Sequence, residues 1–299
     1  MVVFLDLNDL ARVCHRRRIL LLLGAAAAAI FLLVGPTPGS ASTAPVQVRR
    51  GIEYARVGGV RLRLDAYLPP TGTAHPALIF VHGGGWRAGD RASFAPGEQG
   101  FASTGRRFAG LGYAVFSIDY RLAPAFRFPA QLADVRAAIR WVRAHSRRYR
   151  VDGRRLGLFG VSAGGNLAAL AALRGRGDLT GGTRVRALVV WSSPMDLLRF
   201  ASAGRSQVAE YLGCSAASCP GRYRAASPTS WVDPSDPPTL IANGTSEIVP
   251  LVQARALARR LHAAGVSSRL LVIPGARHAA EYEAVSLPAT IQFLRLHLR

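Results

Sequence analysis

The sequence contains no lysine, so its 38 cationic side chains are all arginine, set against 17 acidic side chains for a formal net charge of +21. Such a bias is what GC-rich coding produces. The arginines are scattered and are not gathered with aromatic residues into a stripe, which argues against a nucleic-acid-binding protein. Their excess favours a weak attraction to anionic lipid headgroups or cell-wall polymers, and so an association with a membrane or the cell envelope.

Cysteine is also scarce, with three residues in the chain. Cys14 precedes an apolar segment and would leave with it on cleavage. The remaining pair, Cys214 and Cys219, lies in a polar loop and is expected to form a local disulfide in an oxidising compartment; the alternative is two free thiols. No second pair of cysteine or histidine residues accompanies them, so no zinc site is expected.

The apolar segment over residues 19–35 follows three arginines and precedes a run of small residues. This order is typical of a signal peptide, predicted over residues 1–41, and the arginines also permit twin-arginine export. The alternative is an uncleaved membrane anchor, because the run is at the short limit for spanning a bilayer. Residues 36–50 are rich in proline, serine and threonine, and the part beyond the predicted signal peptide, residues 42–50, is interpreted as a linker. The protein is therefore expected to be secreted or held in the cell envelope.

Ser162 lies in the run Gly160-Val161-Ser162-Ala163-Gly164, between an apolar segment and a stretch of small, helix-favouring residues. The order strand, serine, helix is typical of a nucleophile elbow, a sharp turn that lifts the hydroxyl out of the sheet. A side chain at Gly160 or Gly164 would clash in such a turn. On its own the pattern is short, and an ordinary strand-to-helix turn fits it as well.

A second motif, His82-Gly83-Gly84-Gly85, directly follows an apolar, strand-like run. Consecutive glycines leave backbone N–H groups uncrowded, and fixed donors of this kind stabilise a developing oxyanion in a dry site. The alternative is a flexible glycine turn. Among the seven histidines, His82 is expected to make an inward structural hydrogen bond. His278, which follows the last predicted strand, suits the base of a Ser…acid…His order.

Together the motifs resemble those of the α/β-hydrolase carboxylesterases of the hormone-sensitive-lipase and feruloyl-esterase-like groups, over about residues 50–299. The motifs are His82-Gly-Gly-Gly-Trp86, Asp119-Tyr-Arg-Leu-Ala-Pro124, Gly160-Val-Ser-Ala-Gly-Gly165 and Gly275-Ala-Arg-His278. The resemblance implies that Ser162 is the nucleophile and His278 the base. It also implies an oxyanion hole formed by the N–H groups of Gly84, Gly85 and Ala163, with Gly83 as an alternative donor.

Hydrophobic patterning predicts an α/β-hydrolase fold over residues 51–299. Residues 51–56 and 60–69 alternate around Gly58-Gly59 and predict a β-hairpin. Apolar strands then alternate with helices, which implies a mostly parallel sheet covered on both faces. Strands are predicted at 77–81, 113–118, 156–159, 185–191, 239–242 and 269–273, and helices at 101–110, 129–148, 250–264 and 287–298. Residues 199–237 are interpreted as a partial cap over the acyl pocket; the alternative is a surface excursion at the sheet edge.

The acid of the triad is less clearly marked. The family usually has an aspartate in the turn after the strand at 239–242, but alignment on Ile248-Val249-Pro250 places Ser246 there. We expect the neighbouring Glu247 to serve instead, its longer side chain reaching His278. The alternatives are Asp196, which follows the preceding strand, or no acid at all, with His278 oriented by a backbone carbonyl or the Ser246 hydroxyl.

The sequence thus predicts a serine ester hydrolase that acts on a small-molecule ester through a Ser162-His278-Glu247 triad and an acyl-enzyme, without metal or cofactor. The same triad also serves acyltransferases and peptidases. A peptidase of this fold usually carries a large extra domain that restricts access to the site, and no such domain is predicted from the patterning of this sequence. A non-catalytic, hydrolase-like binding protein is the alternative outside enzymology, favoured by the irregular acid position.

Overall fold

The computed structural model describes residues 45–93, 101–201 and 206–298. They form an eight-stranded sheet with the order β1-β2-β4-β3-β5-β6-β7-β8. The pairs β1–β2 and β2–β4 are antiparallel, and every pair from β4–β3 to β7–β8 is parallel. The strands are β1 (Gln47–Val57), β2 (Val60–Leu68), β3 (His75–Val81), β4 (Ala114–Ile118), β5 (Val151–Val161), β6 (Ala187–Trp191), β7 (Thr239–Gly244) and β8 (Ser268–Ile273).

Helices cover both faces of this sheet. The strands at its centre, β3, β4 and β6, are buried almost throughout, because their apolar side chains alternate between two hydrophobic cores. One core packs against α2, α3 and α7, and the other against α1 and α8. The helices are α1 (Phe101–Gly110), α2 (Ala130–Ala144), α3 (Ala163–Leu173), α4 (Leu197–Ala201), α5 (Ser206–Leu212), α6 (Pro220–Ala225), α7 (Leu251–Ala263) and α8 (Glu283–His297).

The predicted hairpin is present, and Gly58 and Gly59 both adopt positive φ at its turn. Its first strand begins at Gln47 rather than at residue 51, so the linker interpretation of residues 42–50 is wrong for residues 47–50. The reason is that Val46 and Val48 pack against the core below α1 and α8, which extends the strand. α2 ends at Ala144, earlier than the predicted 148.

The predicted signal peptide or anchor, residues 1–41, lies outside the described residues. Over the ranges that the structure describes, no helix is both long and apolar enough to cross a bilayer. Between β6 and β7, where the sequence predicts a partial cap, the chain forms the short helices α4, α5 and α6 and a 3₁₀ turn at Pro228–Ser230.

A buried ion pair fixes the turn after β4. Asp134 on α2 is 1% exposed, and its carboxylate accepts hydrogen bonds from the guanidinium of Arg121 at 2.7 and 2.9 Å. The same carboxylate accepts the backbone N–H of Arg121 at 2.9 Å. Tyr120 directly precedes Arg121. The contact of Arg121 with α2 therefore also positions the side chain of Tyr120.

Replacing one member of a buried pair leaves the other charge without compensation. We therefore expect Asp134→Asn to lower the free energy of unfolding by about 3 kcal/mol in urea titration. The matched control is Glu53→Gln, which breaks the exposed pair between Glu53 and Arg56 and should leave the unfolding midpoint unchanged. Equal midpoints for Asp134→Asn and the parent protein would contradict the structural importance of the pair.

Candidate active site

Ser162 occupies the turn between β5 and α3, with φ 53° and ψ −125°. Positive φ is strained for a residue with a side chain and is typical of functional turns. The flanking glycines have no room for a methyl group. A Cβ on Gly164 would lie 2.1 Å from the carbonyl oxygen of His82, and one on Gly160 would lie 2.5 Å from that of Gly164. The turn therefore has the tight geometry that the sequence predicts for a nucleophile elbow.

The glycine turn after β3 lies directly against this serine. A Cβ on Gly83 would be 3.2 Å from Cβ of Ser162. Gly84 has φ +102°, and a Cβ there would lie 2.1 Å from the carbonyl oxygen of Ala88. No described residue accepts a hydrogen bond from the N–H groups of Gly84, Gly85 or Ala163. The N–H group of Gly83, the alternative donor, likewise has no acceptor among the described residues, so it remains an alternative. Of these residues, Gly85 and Ala163 line the same cleft as Ser162.

Two aromatic side chains support this turn from below. The Tyr120 hydroxyl lies 3.0 Å from the carbonyl oxygen of His82 and 3.2 Å from that of Gly83. The ring of His82 stacks on Tyr120 with centroids 4.2 Å apart, and its Nδ1–H donates to the Gly83 carbonyl at 2.8 Å. Burial lowers the pKa of His82 to about 4, so the ring is neutral near pH 7. His82 thus makes the inward structural bond predicted for it.

Glu247 lies in the turn after β7 and its side chain is fully buried. Its Oε2 accepts a hydrogen bond from Nδ1 of His278. Its Oε1 accepts one from the Ser192 hydroxyl at 2.8 Å and one from the Gly244 N–H at 2.7 Å. A carboxylate on Nδ1 fixes the tautomer of the imidazole and leaves Nε2 for a hydroxyl nucleophile. Of the three acid assignments, this geometry favours Glu247.

Asp196 is engaged elsewhere. It precedes α4 and caps that helix, its Oδ1 accepting the Arg199 N–H at 3.2 Å, while its Oδ2 lies 3.5 Å from Nε of Arg199. It borders a cleft of about 220 Å³ with Arg259 and Arg260, which includes neither Ser162 nor His278. The Ser246 hydroxyl approaches only Thr245, at 3.5 Å, among its described neighbours. Neither alternative partner therefore contacts His278.

Two residues of this network were not singled out from the sequence. The Ser192 hydroxyl, besides bonding Glu247, lies 2.6 Å from the hydroxyl of Tyr282 and accepts the Ala279 N–H at 2.8 Å. The Tyr282 hydroxyl also lies 3.0 Å from the carbonyl oxygen of Ala242. Both side chains are fully buried. Position was the signal available in the sequence, since Ser192 directly follows a predicted strand and Tyr282 lies four residues after the proposed base.

A cleft of about 30 Å³ opens beside Ser162. Its lining comprises Gly85, Trp86, Ser162, Ala163, Pro194, Phe200, Gln207, Ile248 and Val249. Because Ile248 and Val249 directly follow Glu247, the loop that carries this carboxylate also forms a wall of the cleft. The structure thus brings the predicted nucleophile, two predicted oxyanion donors and the loop that carries Glu247 together around the cleft, whereas His278 is not among the residues that line it. In the part of the chain that the structure describes, no group of three or more His, Cys, Asp or Glu residues is arranged to hold a metal ion.

The neutral state of His82 has a consequence for pH stability. In the unfolded chain histidine binds a proton below about pH 6.5, whereas buried His82 resists protonation until about pH 4. The contribution of this residue is therefore complete above pH 6.5 and is lost as the pH falls towards 4, a change of about 3 kcal/mol. His82→Asn, which retains a donor, should flatten the decline in unfolding free energy between these pH values. An equally steep decline in the variant would show that His82 does not cause it. The control is the range above pH 7, where the unfolding free energies of the two proteins should run parallel.

Solved structures with the same architecture include a truncated carbohydrate esterase from gut microbiota, with a TM-score of 0.75 and 27% identity over 89% of this chain and 100% of that one. Esterase Est2 of Thermogutta terrifontis, solved with propionate bound, has a TM-score of 0.65 and 27% identity over 87% of this chain and 93% of that one. The predicted α/β-hydrolase fold is confirmed.

Among related sequences, esterase LipC of Mycobacterium tuberculosis is 35% identical over 217 residues, which are 68% of this chain and 52% of that protein. Esterase LipQ of the same organism is 31% identical over 76% of this chain and 56% of its own length. The chain thus spans about half the length of these relatives. The BD-FAE family model matches residues 64–261, a range that includes Ser162 and Glu247. The resemblance drawn from the motifs is confirmed, and the chain belongs to the BD-FAE family.

Proposed function

We propose that this protein is a serine carboxylic ester hydrolase of the carboxylesterase type. The observation that carries the proposal is the arrangement around Ser162, which lies at a strained elbow against a glycine turn with free backbone donors. His278, which follows β8, supports the proposal because its Nδ1 is bound to the buried carboxylate of Glu247. Similarity to proteins named esterases supports the same reaction class.

In the acylation step, the Ser162 hydroxyl attacks the ester carbonyl carbon while Nε2 of His278 takes its proton. The N–H groups of Gly84, Gly85 and Ala163 stabilise the tetrahedral oxyanion, an interaction worth several kcal/mol when the donors are fixed and dry. The imidazolium then protonates the departing alcohol, and the acyl group stays on Ser162. The Glu247 carboxylate stabilises the imidazolium through its hydrogen bond to Nδ1.

In the deacylation step, His278 removes a proton from a water molecule, whose oxygen attacks the acyl-enzyme carbonyl. The second tetrahedral intermediate uses the same three donors. Its collapse releases the carboxylic acid and returns the proton to Ser162. The atoms balance without a metal or cofactor.

The size of the cleft supports short acyl groups as substrates. A space of about 30 Å³ has room for a two- to four-carbon acyl chain only if its outer part extends towards the mouth. Trp86 and Phe200 on its walls are almost fully buried, and forcing extra methylenes into packed surroundings costs about 1–3 kcal/mol. The Est2 structure with bound propionate is in line with this preference.

A non-catalytic, hydrolase-like binding protein was favoured by the irregular position of the acid. That support is lost because Glu247 contacts His278. No observation favours an acyltransferase or a peptidase over a hydrolase.

We also propose that the enzyme is exported, to the medium or the cell envelope. The leader pattern over residues 1–41 supports export, as does the position of Cys214 and Cys219, whose sulfur atoms are joined between α5 and α6. Such a bond persists in oxidising compartments. The net charge of +21 supports attraction to an anionic envelope.

The preference for short acyl groups is tested on the parent protein. We expect it to hydrolyse p-nitrophenyl acetate and butyrate at least about tenfold better in kcat/KM than the octanoate, since each 1.4 kcal/mol of misfit is tenfold in rate.

The proposed nucleophile is tested with Ser162→Ala. The variant should lose about 10³-fold or more in kcat/KM. A fluorophosphonate should label the folded parent at Ser162 and leave the folded variant unlabelled. Equal hydrolysis by both proteins would sink the proposal.

The acid is tested by comparing Glu247→Gln with Asp196→Asn. An amide at position 247 lacks the negative charge that stabilises the imidazolium, so kcat/KM on one aryl ester should fall by about 10²–10⁴-fold. Asp196→Asn is the matched control, since its carboxylate bonds Arg199, and it should change kcat/KM by less than about threefold. Circular dichroism confirms that both variants are folded. A large loss in Asp196→Asn with none in Glu247→Gln would reverse the assignment.

A further inference from the structure

A second cleft, apart from the one beside Ser162, is lined by residues of α4 and α7 and of the segments next to them. Its volume is about 220 Å³, compared with about 30 Å³ for the cleft beside the serine. Its lining residues are Asp196, Arg199, Thr229, Ala256, Arg259 and Arg260. None of them lines the smaller cleft. The proposed reaction therefore makes no use of this space.

The helical repeat of α7 brings three of these residues to the same cleft. Ala256, Arg259 and Arg260 are related by steps of three and four positions, so they share one face of the helix. The short side chain of Ala256 leaves space in the cleft that a longer one would fill. Arg199 belongs to α4. Cations from two separate helices therefore line one space.

The arginines of this cleft carry more charge than the acidic side chain beside them. Asp196 is the one carboxylate among the lining residues, and its Oδ2 lies 3.5 Å from Nε of Arg199. No described residue forms a hydrogen bond or an ion pair with the side chain of Arg259 or Arg260. Like charges that share a cleft repel one another, and a bound anion offsets that repulsion. The lining thus leaves two positive charges without a counter-charge.

This surplus matches the charge of a phosphate monoester, which is about −1.5 to −2 at pH 7. A guanidinium presents its N–H donors in a planar fork that fits phosphate oxygens, and such charge-assisted hydrogen bonds are strong. The volume of the cleft is that of about seven molecules of liquid water. It therefore has room for a phosphate together with a small polyol.

Two acceptors among the lining residues suit the hydroxyl groups of a polyol. The Thr229 hydroxyl donates to the carbonyl oxygen of Met195 at 3.0 Å, which leaves its oxygen to accept a hydrogen bond. The Asp196 carboxylate is an acceptor as well. A carboxylate repels a bare anion, so its presence favours a phosphate that carries hydroxyl groups over inorganic phosphate alone.

We propose that the cleft lined by Arg199, Arg259 and Arg260 is a binding site for a phosphate monoester of a small polyol. The guanidinium groups bind the phosphate, and Asp196 and Thr229 accept hydrogen bonds from the hydroxyl groups. Because the two clefts share no lining residue, the site is occupied independently of the cleft beside the serine. The inference goes beyond the proposed esterase function and does not depend on it.

The test is titration calorimetry of the full chain with glycerol 3-phosphate at low ionic strength. We expect one site per chain, and no binding of glycerol, which lacks the phosphate. Arg259→Ala and Arg260→Ala should each weaken binding about tenfold, the effect of losing one charge-assisted hydrogen bond. Ala256→Leu keeps every charge but fills part of the cleft, and it should also weaken binding about tenfold.

The matched control is Arg255→Ala. It removes the same charge from the same helix at an exposed residue that does not line the cleft, and it should change the affinity by less than about twofold. Melting temperatures of all variants show that a changed affinity does not come from unfolding. If the folded parent does not bind glycerol 3-phosphate, the site is overturned. Equal losses in Arg255→Ala and Arg259→Ala would overturn it too, because they would show attraction to the overall positive charge.

Vesicles identify the source of the phosphate. Phosphatidylinositol 4-phosphate in phosphatidylcholine presents a phosphate monoester on a lipid polyol, and phosphatidylcholine alone is the control. Binding of both the vesicles and glycerol 3-phosphate, each weakened by Arg259→Ala and not by Arg255→Ala, supports the site with a lipid headgroup as ligand. Binding of glycerol 3-phosphate alone supports the site with a soluble ester. Vesicle binding without binding of glycerol 3-phosphate would overturn the site in favour of a general surface attraction.

Discussion

The candidate site depends on one buried carboxylate. Glu247 accepts hydrogen bonds from Ser192 at the end of β6, from Gly244 at the end of β7, and from His278 after β8. A fully buried charge is tolerated only when its oxygens are satisfied. The carboxylate and its three donors therefore hold one another in place, and the imidazole takes its orientation from the order of strands in the sheet rather than from a free loop.

The glycine turn that carries the proposed oxyanion donors is held by a second set of contacts. Tyr120 and His82 support the glycine turn from the core, and α5 covers it through the stack of Tyr211 on Trp86. Tyr120 is in turn positioned by the pair between Arg121 and Asp134. Preorganised donors stabilise developing charge because they need no reorganisation during the reaction. The protein thus keeps its backbone donors in position by packing a rigid layer on each side of them.

Much of this arrangement was predictable from local sequence. The elbow around Ser162 and the glycine turn carry their geometry in a few neighbouring residues, because sharp turns restrict which side chains fit. Strand and helix periodicity predicted the parallel sheet and the helices on both faces. The acid was harder, since alignment of one turn left Ser246 and Glu247 adjacent, and only the pairing of β7 with β8 brings Glu247 to His278. Ser192 and Tyr282 meet across 90 positions of sequence, and α5 is too short for its periodicity to indicate which surface it covers.

The side chain of His278 is 22% exposed, whereas that of Glu247 is 0% exposed. This difference restricts the route by which protons reach the imidazole. Because Nδ1 is bound to a carboxylate that solvent does not reach, the imidazole exchanges protons with its surroundings only through Nε2. This is the nitrogen that serves Ser162 in the proposed reaction. While a bound ester covers Nε2, the imidazole therefore does not exchange protons with the bulk solution.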